Sequence, residues 1–299
     1  MTPASQAAQV QSVRALGHRV RVSVRPGTNP RTRPLLMLMG LGGNIEMWEP
    51  LRTELANRVG MTTIAFDVPG TGGSAPPVVP LPLPAVGLMA RQVLRSLRIN
   101  EIDVIGLSWG GLLAQQLALT SPRTVRRLVL ASTNMGWGSM PGRWRVVRTL
   151  ASRARYISRR DMRDALAHFG SDATASSEAL EIHNEARLAR PPSVRGYYSQ
   201  LAGILGWSSL PWLRLIRQPT LVVCGQADPA IPVINAHVLA ALLPNAELAI
   251  VPRGGHLVLF EQLATSVHLL AAFLDPARQG RRGICQDEAS KEAPPCPRQ

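Results

Sequence analysis

Lysine is all but missing from this chain: Lys291 is the only one, so the formal charge of +14, from 33 Lys plus Arg against 19 Asp plus Glu, is nearly all arginine. Cysteine is scarce as well, with three residues. Cys224 falls in a strand-like run, and Cys285 and Cys296 in a polar C-terminal segment. Their spacing offers no metal site and no disulfide framework. Long unbroken apolar runs are absent. The longest weakly polar stretch, APPVVPLPLPAVGLMA at 75–90, is broken by prolines that no bilayer-crossing helix tolerates. The opening residues, MTPASQAAQVQSVRALGHRV, lack an apolar h-region, so no secretory signal is read and a cytoplasmic location is expected. No polar tract is long enough for a largely disordered chain, and no internal repeat is found. The basic charge comes without a nucleic-acid recognition motif, which excludes that class of partner. Its densest region, at 142–163, reads as a solvated arginine-rich surface, with an anionic partner as the alternative.

What is present is a chain of 299 residues, 45% hydrophobic and 17% charged. That is enough for one large core or two ordinary domains. RVRVSV at 19–24 alternates with period two, as a half-exposed strand does. Runs at 35–39, 62–66, 102–106, 127–132, 219–225 and 246–251 are continuously apolar, as strands buried on both faces are. Helical patterns lie between them at 46–58, 85–97, 109–120, 235–243 and 261–274. Strand alternating with helix predicts an α/β fold: a mostly parallel sheet flanked by helices. The alternation stops at 134–215, where helical segments rich in arginine and aromatics carry no convincing strand. This predicts a helical cap inserted into a core of 19–133 and 216–276, with a separate domain as the alternative. Residues 1–18 are read as an N-terminal extension and 277–299 as a disordered tail.

Gly106-Leu107-Ser108-Trp109-Gly110 is G-x-S-x-G, set between a predicted strand and a predicted helix. A serine on so tight a turn is presented at the positive end of the helix, where a nucleophile is wanted. It needs a base. His18 precedes the first strand, His168 and His183 fall in the cap, and His237 and His268 in helical patterns. His256 alone stands in a glycine turn between the last strand and the last helix, VPRGGHLVLFEQ. Asp228, in CGQADPAIP, follows a strand and completes the order Ser, Asp, His of α/β-hydrolases. Asp67, in FDVPGTGGS, also follows a strand and is the alternative acid, although its loop reads as structural. An oxyanion hole needs two donors. The Trp109 amide is one, and the Leu41 amide in MGLGGN is expected as the other, with Gly42 as its alternative. No cofactor and no metal is called for.

Four segments carry a narrower likeness: FDVPGTGGS, VIGLSWGGLLAQQLA, RGGHLVLF and, most specifically, 196–235, GYYSQLAGILGWSSLPWLRLIRQPTLVVCGQADPAIPVIN. Over 20–274 the chain resembles the intracellular medium-chain-length polyhydroxyalkanoate depolymerases. The resemblance implies the α/β-hydrolase fold and a metal-free, granule-associated esterase that cleaves 3-hydroxyacyl ester links in a stored polyester. Ser108, Asp228 and His256 fall on that family's triad positions. The arginine-rich 142–163 and the longer polar tail depart from its pattern. An apolar acyl substrate suits the cap, where Gly42 of the neighbouring loop, Trp137, Tyr197, Trp207 and Trp212 are candidate lining residues, with Tyr198, Leu201 and Leu205 beside them. The rival readings are a generic carboxylesterase or monoacylglycerol-type lipase, a carbon–carbon hydrolase on the same fold, and, in another class, a non-catalytic granule- or membrane-binding module.

Overall fold

A strand whose successive side chains are all apolar must be covered on both faces, because alternate residues point to opposite sides. The computed structural model, which describes residues 7–152 and 177–275, shows that arrangement. Its strands are β1 (Gln9–Ala15), β2 (His18–Arg25), β3 (Leu35–Leu38), β4 (Thr63–Phe66), β5 (Ile102–Leu107), β6 (Val125–Ala131), β7 (Thr220–Gly225) and β8 (Ala246–Val251). They form one eight-stranded sheet in the order β1-β2-β4-β3-β5-β6-β7-β8. From β4 to β8 every neighbouring pair is parallel, and only β2 pairs antiparallel with its neighbours.

The described helices are α1 (Glu49–Val59), α2 (Leu83–Ser96), α3 (Trp109–Thr120), α4 (Trp144–Ala151), α5 (Glu178–Ala189), α6 (Val194–Gly203), α7 (Ile234–Leu242), α8 (Val258–Glu261) and α9 (Leu263–Leu274). On β3, Leu36 and Leu38 face a core built with α2, α3 and α7, while Leu35 and Met37 face one built with α1, α8 and α9. On β7, Val222 and Cys224 take the first side, and Leu221 and Val223 the second. The period-two split of a continuous apolar run is what makes the sheet a wall between two cores.

Two expectations need correction. The segment 1–18, expected as an N-terminal extension, holds a strand within its described residues: β1 pairs along its length with β2, from Gln9 opposite Val24 to Ala15 opposite His18. Leu16 and Gly17, both at positive φ (48° and 78°), close the hairpin as a two-residue turn. β1 buries only Val13 and Ala15, so its hydrophobic signal is slight. The helix expected at 46–58 is also divided. Ile45–Trp48 is a 3-10 turn capped by Asn44, and α1 begins at Glu49. Pro50 has no N–H to donate to the carbonyl of residue 46, so the α-helical ladder cannot run through.

The sheet order also fixes where a site can form. The chain leaves β3 for β4 on one side and returns to β5 on the other. Loops after β3 and β5 therefore diverge at the carboxyl ends of adjacent strands and open a crevice. Over it lie the helices between β6 and β7. Val146 of α4 packs against Ala230 in the loop after β7, and the Arg143 amide donates to the Pro229 carbonyl (2.9 Å). Arg143, Arg145 and Arg148 face solvent. The remainder of the arginine-rich stretch, His168, Cys285, Cys296 and the tail at 277–299 lie outside the described residues.

Candidate active site

β5 delivers Ser108 into the crevice. Its backbone is at φ 54°, ψ −117°, outside the regions an L-residue favours and worth roughly 1–3 kcal/mol of strain. The surroundings hold it there. The Ser108 amide donates to Ala131 O (2.9 Å), and its carbonyl accepts from Gly111 N (2.8 Å) and Thr133 Oγ1 (2.7 Å). The flanking glycines are sterically required. A Cβ on Gly106 would sit 2.3 Å from Gly110 O, and one on Gly110 would sit 2.0 Å from Leu38 O.

The loops after β7 and β8 bring up Asp228 and His256. They interlock through the Gln226 amide on Val251 O (3.0 Å) and the Ala227 amide on Gly254 O (2.9 Å). At Gly225 the approach is so close that a Cβ would lie 2.3 Å from the carbonyls of both Gly254 and Gly255. His256 Nδ1 faces both carboxylate oxygens of Asp228, at 3.1 and 2.9 Å. A carboxylate only accepts, so Nδ1 carries the proton and Nε2 is left as the basic nitrogen. Asp228 Oδ1 also accepts from the Ala230 and Ile231 amides, each at 2.8 Å. Asp67, the alternative acid, is committed elsewhere. Its carboxylate accepts from Ile45 N (2.9 Å), Gly73 N (2.8 Å) and Arg21 Nη1 (3.0 Å), tying two loops together.

Ser108 opens onto two cavities. One, of about 90 Å³, is lined by His256, Leu41, Met39, Met47, His183 and Arg187 among others. The other, of about 890 Å³ and mostly apolar, is lined by Trp109, Leu112, Trp137, Tyr198, Leu201 and Leu205 among others. Leu41 borders both. The N–H of Trp109, first residue of α3, is among those an α-helix leaves without an internal acceptor.

Several candidate lining residues are elsewhere. Trp137 does border the large cavity and is largely exposed. Tyr197 is fully buried and donates its hydroxyl to Leu150 O (2.8 Å). Trp207 borders neither cavity, and its indole N–H is on Gln116 Oε1 (2.8 Å). Trp212 is half exposed and borders neither cavity. Gly42 borders neither as well, and its amide donates to Gln200 Oε1 (2.7 Å), so the alternative oxyanion donor is engaged.

Other residues at the site carry no sequence motif. Gln200 on α6 takes the Gly42 amide with its side chain and the Trp109 indole N–H with its carbonyl (3.1 Å). Arg187 on α5 donates from both Nη atoms to Leu41 O, each at 3.1 Å. The peptide between Leu41 and Gly42 is thus held at both ends by cap side chains. Glu261 on α8 accepts from the amides on either side of His256, Gly255 N (2.5 Å) and Leu257 N (3.2 Å). Burial pushes its carboxyl above the ordinary range. His183 is buried, with Nδ1 on Met47 O (3.0 Å) and its ring 4.1 Å from that of Phe260. Burial pushes it down to about 3, so it is neutral. A lone Glu in the apolar HLVLFEQ was the single available signal for any of these.

Strand, elbow and crevice define an α/β hydrolase: residues 33–263 match the family model of the alpha/beta hydrolase fold, and the chain belongs to that family. Within it, the chain is 39% identical over 261 residues to a poly(3-hydroxyalkanoate) depolymerase of Ectopseudomonas oleovorans, covering 87% of this chain and 90% of the relative. In fold it is similar to an enol-lactonase from Burkholderia xenovorans LB400 (TM-score 0.76, 20% identity, 88% of this chain and 99% of that one). It is equally similar to an esterase from Exiguobacterium antarcticum (TM-score 0.76, 18% identity, 89% and 99%). Among the described residues no helix is long and apolar enough to cross a membrane.

Proposed function

We propose that this chain is a serine ester hydrolase acting on a poly(3-hydroxyalkanoate). The observation that carries the reading is that Ser108 and the Asp228-bound His256 line one cavity, and that Ser108 also lines a second, far larger apolar one. His256 Nε2 takes the Ser108 proton as Oγ attacks an ester carbonyl. The Leu41 and Trp109 amides hold the oxygen that becomes negative. His256 returns the proton to the leaving alcohol, the acyl group stays on Ser108, and water activated by His256 releases it. Every step is acid–base or nucleophilic, and side chains and amides of this chain suffice for it.

The relative named for poly(3-hydroxyalkanoate) supports the polyester as substrate, as does the apolar lining of the large cavity. Exposed Trp137, Met140, Trp144 and Leu205 on the cap support contact with an apolar granule surface in the cytoplasm. Purified protein incubated with amorphous medium-chain granules, short-chain polyester and p-nitrophenyl esters is expected to release 3-hydroxyacids from the medium-chain granules. Activity on soluble esters alone would leave a generic esterase. Full hydrolysis by Ser108→Ala, or no labelling by a fluorophosphonate, would sink the serine mechanism.

A further inference from the structure

His256 stands on a stretch of backbone with little restraint of its own. Gly254 and Gly255 precede it, and glycines leave the main chain free to take many conformations. Asp228 fixes the imidazole, but a ring is aimed only if the main chain beneath it stays in place. One side chain holds that main chain on both sides of the histidine. Gly255 N and Leu257 N donate to the two oxygens of Glu261, one to each, at 2.5 and 3.2 Å. Glu261 closes α8, the four-residue helix that begins at Val258, so its side chain reaches back over one turn to the histidine loop.

A carboxylate is a demanding group to bury, and Glu261 is about 7% exposed. Burial pushes its carboxyl above the ordinary range; the two amides and His256 act against that, and Asp228 adds to it. Both oxygens accept, which is the pattern of the ionised form. The helices packed against α8 are α1, α5 and α9. From α5 come His183, which is neutral, and Arg187, which is on Leu41 O, while the glutamates of that helix are exposed. His268 of α9 is exposed, and Arg52 of α1 is paired with Glu49. Of the groups that gain charge during the reaction, His256 is the one on which Glu261 acts.

We propose that Glu261 is the positioning residue of the base: its carboxylate sets the His256 main chain from both sides and, with Asp228, supplies the negative charge that favours the imidazolium. On the serine mechanism proposed above, on which this inference rests, His256 turns positive as it takes the Ser108 proton. A second buried negative charge nearby favours that state. Glutamine cannot stand in for this glutamate. Its amide has one oxygen, so one of the two backbone donors loses its acceptor, and the charge is gone. Aspartate keeps the charge but is one methylene short of the amides. The two variants therefore separate the electrostatic part of the role from the geometric part.

The test is the pH profile of kcat/KM on a soluble p-nitrophenyl ester, for wild type, Glu261→Gln and Glu261→Asp. Its acid limb falls where the base of the free enzyme becomes protonated. In Glu261→Gln the limb is expected to move to lower pH by about half a unit or more, because the imidazolium has lost an anion. Its kcat is expected to fall about tenfold or more, the scale of a misplaced reacting group, with KM little changed. Glu261→Asp is expected to lose kcat in the same way with its limb close to that of the wild type. A limb that moves as far in Glu261→Asp as in Glu261→Gln would overturn the electrostatic role. A lower melting temperature in both variants, with limb and kcat unmoved, would mean a merely structural carboxylate and overturn the proposal. Hydrogen exchange in the wild type needs no variant. The Gly255 and Leu257 amides are expected to exchange far more slowly than that of exposed Arg253, and equal rates would overturn the hold on the histidine loop. No ester hydrolysis and no fluorophosphonate labelling by the wild type would overturn the serine mechanism instead.

Discussion

The sheet edge and the cap both shape the crevice, by different means. At the sheet edge, main chain fits main chain. The loops of Asp228 and His256 interlock through backbone hydrogen bonds, and Gly106, Gly110 and Gly225 stand where any Cβ would strike a carbonyl. The cap reaches the same crevice through long side chains. Arg187 and Gln200 grip the peptide at Leu41 and Gly42, and Tyr197 holds Leu150. Backbone fitting admits one geometry or none, whereas side chains trim a geometry already present. Changes at the edge are therefore expected to act as switches, and changes in the cap as graded adjustments.

The largest effect belongs to the edge. Asp228→Asn can still accept the Ala230 and Ile231 amides, but its amide group no longer compels the proton onto His256 Nδ1. A loss of kcat of about 10⁴ is expected from the wrong tautomer, with the melting temperature little changed. A loss below tenfold would remove Asp228 from the mechanism. Gly110→Ala tests the same side sterically. Its Cβ would lie 2.0 Å from Leu38 O, so a cost of about 3 kcal/mol or more and poor soluble yield are expected. Wild-type stability in that variant would show that the elbow has slack.

This contrast also explains what could be read from the sequence. The elbow is local: glycine, serine and glycine stand in five consecutive residues between a strand and a helix, and the geometry follows from their order. Asp228 and His256 each follow a strand, which in a parallel sheet puts them at the same edge. β1 is not legible in the sequence because QVQSVRA buries two side chains at a sheet margin and leaves no continuous run. The clamp is illegible for a different reason. Gly42 and Gln200 lie 158 residues apart, and no local pattern marks either as the other's partner. Trp207 and Tyr197 read as substrate-lining in the sequence because composition shows an aromatic without its direction.

On the cap side, Gln200→Leu would leave the buried Gly42 amide without its acceptor and loosen the neighbouring Leu41 amide, the proposed oxyanion donor. A fall in kcat of about 10- to 100-fold with KM little altered is expected, smaller than the loss expected from Asp228→Asn. Gln200→Glu keeps an acceptor and should recover most of the rate. A purely structural role would show instead as lost stability with kcat unchanged. The expected order of effects is thus Asp228→Asn, then Gln200→Leu, then Gln200→Glu.

The smallest effect should be the one that acid has through the cap. His183 joins α5 to the turn before α1 through Met47 O and lies against Phe260. Folded, it takes a proton only at about 3, against 6.5 when free. Between those values the unfolded chain holds a proton that the folded chain lacks, so stability falls as pH falls, by about 1.4 kcal/mol per unit. At pH 5 the loss from this one residue is about 2 kcal/mol. His183→Asn keeps a side-chain N–H for Met47 O and does not titrate. Its melting temperature should therefore decline less between pH 6.5 and 5 than that of the wild type. Parallel declines would mean that the imidazole is solvated in the folded protein and that the cap is packed less closely over the edge than the structure shows.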